Sequence, residues 1–193
     1  MVTFGDLLEE RKDTIVDRWV DAVLAAYPSE SAALFQMQQD PFANPLGHSV
    51  REGTRGIFQT ILDGMDQEDL RTHLDKIVRI RAVQQFTPSQ ALSFVFSLRS
   101  IVREVIPEGE VDAHLREGLT ELDTRIDEVA LAAFELYAAR REEVSQLRIS
   151  EVKRQVAWVH DKMNRQSHGP EGVLEDSSQK TSTYDNVQRE DLR

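Results

Sequence analysis

From Glu110 to about Arg165 the chain contains no proline and a single glycine, Gly118. At 1.5 Å per residue an unbroken helix over that stretch would be roughly 80 Å long, too long for a domain of this size to cover. Its first half places Leu115, Leu119, Leu122, Ile126, Val129, Ala133 and Leu136 at core spacing. Arg140-Arg141-Glu142-Glu143 then interrupts the apolar stripe. A second seam resumes at Ile149, Val152, Val156, Val159 and Met163, with the alternating three- and four-residue steps of a coiled coil. The helix is expected to leave the globule near Arg140, and its second seam calls for a partner, most simply a second copy of the chain.

Upstream, runs rich in Leu, Ala, Glu, Arg and Gln alternate with short breaks, and no period-2 pattern with hairpin punctuation occurs. The spacing predicts helices over about Thr3–Ala26, Ala32–Gln39, Ser49–Asp63, Gln67–Gln85 and Thr87–Ile106. Residues 40–48, with Pro41 and Pro45, are expected as a stiff loop. Within the fourth helix Leu70, Leu74, Ile77, Val78, Ile80 and Val83 are the expected inward residues. Thr87-Pro88-Ser89-Gln90 combines a threonine cap, proline at the first helical position and a glutamine able to close a capping box. Beyond Gln166 the Ser, Thr, Asp, Gln and Glu mixture has too few apolar residues to offset ordering entropy, so a disordered acidic tail is expected.

Composition narrows the function. The 193 residues carry 34 acidic against 23 basic side chains, a formal charge of -11, which argues against nucleic-acid binding. With no cysteine, disulfides, thiolate zinc sites, Fe–S clusters and a cysteine nucleophile are all excluded. No apolar run reaches the roughly 20 residues of a membrane span and no signal core follows Met1, so a cytoplasmic protein without membrane insertion is expected.

Catalytic constellations are not visible. The histidines, His48, His73, His114, His160 and His168, form no His-x-x-x-His or Glu-x-x-His pair, and Gly53-x-x-Gly56 lacks the strand context of a phosphate loop. No catalytic residue, no metal ligand and no cofactor is expected. If a haem were held by a lone histidine, the helical candidates would be His73 and His114. The unusual segment is Lys76 to Ala91, where Arg79 and Arg81 sit among Ile77, Val78, Ile80 and Val83. At least one guanidinium should lie near the core, paired with a carboxylate such as Asp40, Glu52 or Asp123, or with a bound anion.

Two blocks resemble the RsbRD N-terminal domain family: Asp40-Pro41-Phe42-Ala43-Asn44-Pro45-Leu46-Gly47-His48, and Arg79-Ile80-Arg81-Ala82-Val83-Gln84-Gln85-Phe86-Thr87-Pro88-Ser89-Gln90-Ala91. The opening helix with Trp19 fits too, and the resemblance covers about residues 4–140. It implies an all-α, globin-like helical sensor domain without haem. Such domains dimerise, project a helical linker, and act with a STAS domain on an RsbT-like switch kinase. This chain shows no βαβ pattern for a STAS domain after its linker-like helix.

The expectation is therefore an all-α, globin-like bundle over 1–140, a coiled-coil-like linker helix over 141–165 and a disordered tail over 166–193. Its function would be that of a non-enzymatic bacterial sensor or adaptor in a stress- or redox-response pathway. It would form a homodimer and meet an RsbT-like switch kinase, a STAS protein or another bacterial complex. His48, Arg79, Arg81 and Gln84 are the candidate polar contacts, and Phe86 and Pro88 shape the corner. The alternatives are a haem- or small-ligand-binding globin-like sensor and a structural or assembly subunit of a larger complex.

Overall fold

The computed structural model describes residues 3–27, 40, 42–84, 86–106 and 113–167. Among the described residues there are six helices and no strand: α1 (Phe4–Glu10), α2 (Lys12–Leu24), α3 (Pro45–Leu62), α4 (Gln67–Val83), α5 (Pro88–Val105) and α6 (Ala113–Ser167). The all-α architecture with a long final helix is present. The helix expected over 32–39 and the tail beyond residue 167 lie outside the described residues. The chain divides into two compact units, Met1–Gln146 and Leu147–Arg193.

Local sequence explains most boundaries. Thr3 and Asp6 form a reciprocal capping box at α1, the Asp6 carboxylate accepting from the Thr3 amide at 2.8 Å. The helix expected to continue to Ala26 breaks at Arg11 (φ -102°, ψ 8°), and α2 restarts at Lys12. That break lets the Arg11 guanidinium donate to the Val105 carbonyl at the end of α5. Helix α3 starts four residues earlier than expected. The Asn44 side chain accepts from the Gly47 amide at 2.8 Å, and Pro45 occupies the first helical position where its missing N–H costs nothing. Gly64 and Met65 both turn through the left-handed region (φ 102° and 67°), and Asp66 then caps α4 by accepting from the Glu68 and Asp69 amides.

In the first unit α3 packs on α4, and α2 packs on both α3 and α5. Glycines set the α3–α4 distance: a Cβ on Gly56 would lie 2.2 Å from His73 Nδ1, and one on Gly53 would lie 3.0 Å from the His73 carbonyl oxygen. The Gly53-x-x-Gly56 spacing is thus a packing groove. The core between the helices holds Ile15, Trp19, Leu24, Ile57, Phe58, Leu70, Leu74, Ile77 and Leu98, each essentially without solvent exposure. Burying each of these side chains contributes about 1.5–3 kcal/mol. From α6, Leu115, Leu122, Ile126, Val129 and Ala133 close the core as expected, with Leu119 and Leu136 partly buried.

One inward assignment on α4 is corrected. Val83 is 58% exposed, and Arg81, fully buried, occupies the inward position instead. The residues Leu70, Leu74, Ile77, Val78, Arg81 and Ala82 share one helical face, from which Val83 has rotated away.

Candidate functional site

The α4–α5 corner is built around the Arg81 guanidinium. Nη1 donates to the carbonyls of Gln90 (3.1 Å) and Ala91 (3.0 Å), and Nη2 donates to the carbonyl of Val23 (2.9 Å). Val23 belongs to the last turn of α2, whose C-terminal carbonyls carry the negative end of the helix dipole. Three rings enclose the cation: its Cζ lies 5.0 Å from the Phe94 centroid, 5.4 Å from Phe86 and 5.7 Å from Tyr27. Attraction between the cation and the negative ring faces strengthens as water is excluded. Trp19 braces the cage by donating from Nε1 to the Phe94 carbonyl at 2.7 Å.

Among the described residues the expected internal ion pair is not what holds Arg81. Within them its guanidinium donates to three backbone oxygens, and two of the carboxylates considered are committed elsewhere. Glu52 meets Lys76 at 3.2 Å, while Asp123 meets Arg103 at 2.6 Å and Arg99 at 3.3 Å. Among the described residues, Arg81 Nε finds no acceptor. Burial pulls the Arg81 pKa below its ordinary value, with the nearby Tyr27 hydroxyl opposing that shift. Burial likewise raises the Tyr27 pKa above its ordinary 10.0, and Arg81 opposes it. The corner is therefore a buried cation solvated by carbonyl dipoles and aromatic faces.

Helix α6 grips this corner from outside. The Tyr137 hydroxyl donates to the Phe86 carbonyl, and Arg141 Nη1 donates to the Ala82 carbonyl at 3.1 Å. One residue earlier, Arg140 Nε donates to Asp75 at 2.8 Å while its Nη1 meets Glu143 at 2.9 Å. These two carboxylates push the Arg140 pKa upward, Asp75 foremost. Arg140-Arg141, read from the sequence as a charged interruption, thus anchors α6 to α4. Ala82 directly follows Arg81 and Phe86 forms one wall of its cage, so the two carbonyls that α6 holds lie beside the guanidinium.

The remaining expected site residues are dispersed around this centre. Phe86 is half-buried and forms one wall of the cage, in edge contact with Tyr27 at 5.4 Å. Pro88 is exposed at the start of α5, where Thr87 and Gln90 complete the expected capping box. Arg79 and Gln84 point to solvent. His48 lies apart on the first turn of α3, 3.6 Å from Glu52, which also pairs with Lys76. Of the two histidines considered for haem, His73 is packed against Gly56 in the α3–α4 crossing, and the His114 side chain is outside the described residues. Tyr27, Phe94, Tyr137 and Asp75 were not among the expected residues. Tyr27 and Tyr137 reach the corner, and Asp75 meets Arg140, over long sequence separations that no local pattern reveals.

A separate open groove of about 360 Å³ lies between α1, the end of α3 and the start of α6. Phe4, Leu8, Ile61 and Leu122 form its apolar floor, and Glu117, Glu121 and Arg125 its rim.

The first unit is thus all-helical, with a buried cation at its α4–α5 corner and a last helix, α6, that bonds to the carbonyls beside it. The family model described as the RsbT co-antagonist protein rsbRD N-terminal domain matches residues 13–152, and the chain belongs to that family. It is a family of signalling domains and points to stress signalling in the partner-switching system. No curated protein and no solved structure matches the chain, so the globin-like part of the expected fold rests on the family resemblance alone. Among the described residues, no helix is long and apolar enough to cross a membrane.

Proposed function

We propose that the protein is a non-enzymatic cytoplasmic adaptor of a bacterial stress- or redox-response pathway. The observation that supports this most directly is the double role of α6. Through Tyr137, Arg140 and Arg141 it is tied to the caged corner, and farther along the same helix it carries an exposed apolar seam. A change of packing at the cage would bias the position of α6, and the bias is the signal. Family membership favours an RsbT-like switch kinase or a STAS protein as the recipient.

The adaptor is a homodimer in this reading. On the first unit Leu131 and Phe134 of α6 are 68% and 54% exposed, and Phe96 of α5 is 46% exposed. Phe96 lies one turn before Arg99, Leu131 one turn beyond Asp127, and Arg99 pairs with Asp127, so the three apolar groups occupy adjoining faces. A second copy of the chain covers them. Leu131→Glu with Phe134→Glu should convert a dimer into a monomer of unchanged helicity, read by light scattering and circular dichroism. For the output, a purified RsbT-like kinase is assayed for phosphorylation of its STAS substrate with the chain added. Tyr137→Phe with Arg141→Ala should alter the effect of the wild-type chain. A monomeric wild type, or no effect on kinase and STAS protein alike, speaks against the respective part of this reading.

A further inference from the structure

The seam of the second unit is edged by cations on both sides. Ile149, Val152, Val156, Val159 and Met163 are 45%, 58%, 62%, 47% and 63% exposed. With Ile149, Val156 and Met163 at heptad a and Val152 and Val159 at d, the flanking e positions are Lys153 and His160. The flanking g positions are Arg148, Gln155 and Lys162. No acidic residue stands at either flank. Glu151 lies outside them, bonded to Arg154 and Gln155. Arg148, Lys153, Arg154, Lys162 and Arg165 outnumber Glu151 and Asp161, so this stretch is net positive in a chain of formal charge -11.

That charge pattern decides what can lie on the seam. In a parallel pair of identical helices, Arg148 would face Lys153 of the second copy; in an antiparallel pair, Arg148 would face Lys162. Both arrangements set like charges across the interface, which disfavours pairing. A lipid surface fits less well. The apolar stripe is only as wide as a and d, and Trp158 lies about 120° round the helix from Val152, its ring under Lys162 at 5.1 Å. Membrane-surface helices carry a broad apolar face with the aromatic residues on it. Beside the seam Val152, Lys153, Val156, Ala157, His160 and Asp161 line a shallow, open groove on the helix surface.

We propose that residues 148–163 dock an amphipathic helix of another protein whose apolar stripe is edged by Glu or Asp, forming a heterotypic coiled coil. This rests on the adaptor reading above and names the chemistry of its output partner; the homodimer through Leu131 and Phe134 is a different surface.

The test uses the full chain and two synthetic helices with Ile and Leu at a and d, one bearing Glu at every e and g position and the other Lys, followed by anisotropy of a peptide label. Anionic phosphatidylglycerol vesicles are a third probe. The Glu helix should bind at least about tenfold more tightly than the Lys helix, with the gap narrowing as salt is raised. Val156→Asp should abolish binding at unchanged helicity. Arg148→Glu combined with Lys153→Glu and Lys162→Glu should reverse the preference. Equal binding of both helices, binding of neither, binding that survives Val156→Asp, or sedimentation with vesicles in place of peptide binding would overturn the assignment. None of these results depends on the Leu131 and Phe134 variants, so each proposal fails separately.

Discussion

Arg81 satisfies the requirement that a buried charge be surrounded, and among the described residues it does so without a counter-ion. Replacing it with alanine would remove three hydrogen bonds and open a cavity among Tyr27, Phe86 and Phe94. The expected loss is about 3–5 kcal/mol of stability, measured from urea unfolding. Arg81→Lys keeps the charge but has no planar fork to span Val23 and the first turn of α5, so it should fall between alanine and wild type. An arginine-to-alanine change with no effect on the unfolding midpoint would show the cage to be incidental. Tyr27 gives this centre a pH limit. The unfolded chain loses the Tyr27 proton near pH 10, whereas the folded protein retains it to higher pH. The contribution of the neutral hydroxyl is therefore complete below about pH 10 and is lost as pH rises through the folded-state value. Tyr27→Phe should flatten the fall in stability on the alkaline side, followed by thermal unfolding.

At the scale of elements, the helices differ in how their ends and contacts are secured. Thr87→Ala should cost about 1 kcal/mol through loss of the α5 capping box. Gly56→Ala should cost more than an exposed helical substitution, because its Cβ meets the His73 ring and forces α3 and α4 apart. Calorimetry of the two variants orders them, and a stabilising Gly56→Ala would contradict the close packing. Caps of this kind were legible in the sequence because they are local: Thr87, Pro88 and Gln90 announce themselves within four residues. Asn44 and Pro45 carry the same information, yet Pro41 and Gly47 on either side read as a loop and hid the start of α3. On α4, hydropathy favoured Val83 over Arg81 as the inward residue, although the step from Leu74 through Ile77 and Val78 leads to position 81. Arg81 and Phe86 were legible as part of a candidate site. Tyr27, Tyr137 and Asp75 were not, since the contacts that recruit them cross between helices far apart in sequence.

For the whole molecule, the two compact units predict two stabilities. Residues 115–137 of α6 contribute Leu115, Ile126, Val129 and Tyr137 to the core, whereas every side chain described over 147–165 is exposed. Hydrogen exchange should therefore be slow in the first stretch and fast in the second, and Val156→Asp should leave the main thermal transition unmoved. Equal protection along α6 in the isolated chain would mean that the seam is already occupied. The caged guanidinium also bears on folding cooperativity. Its acceptors lie 10 residues ahead at Ala91 and 58 residues behind at Val23. A hairpin of α4 and α5 formed alone would leave that charge half-desolvated and short of its third oxygen, so it gains little until α2 arrives. Arg81 therefore ties the docking of α2 to that of α4 and α5, and Arg81→Ala is expected to make the assembly of the three helices less cooperative, read as a shallower urea transition.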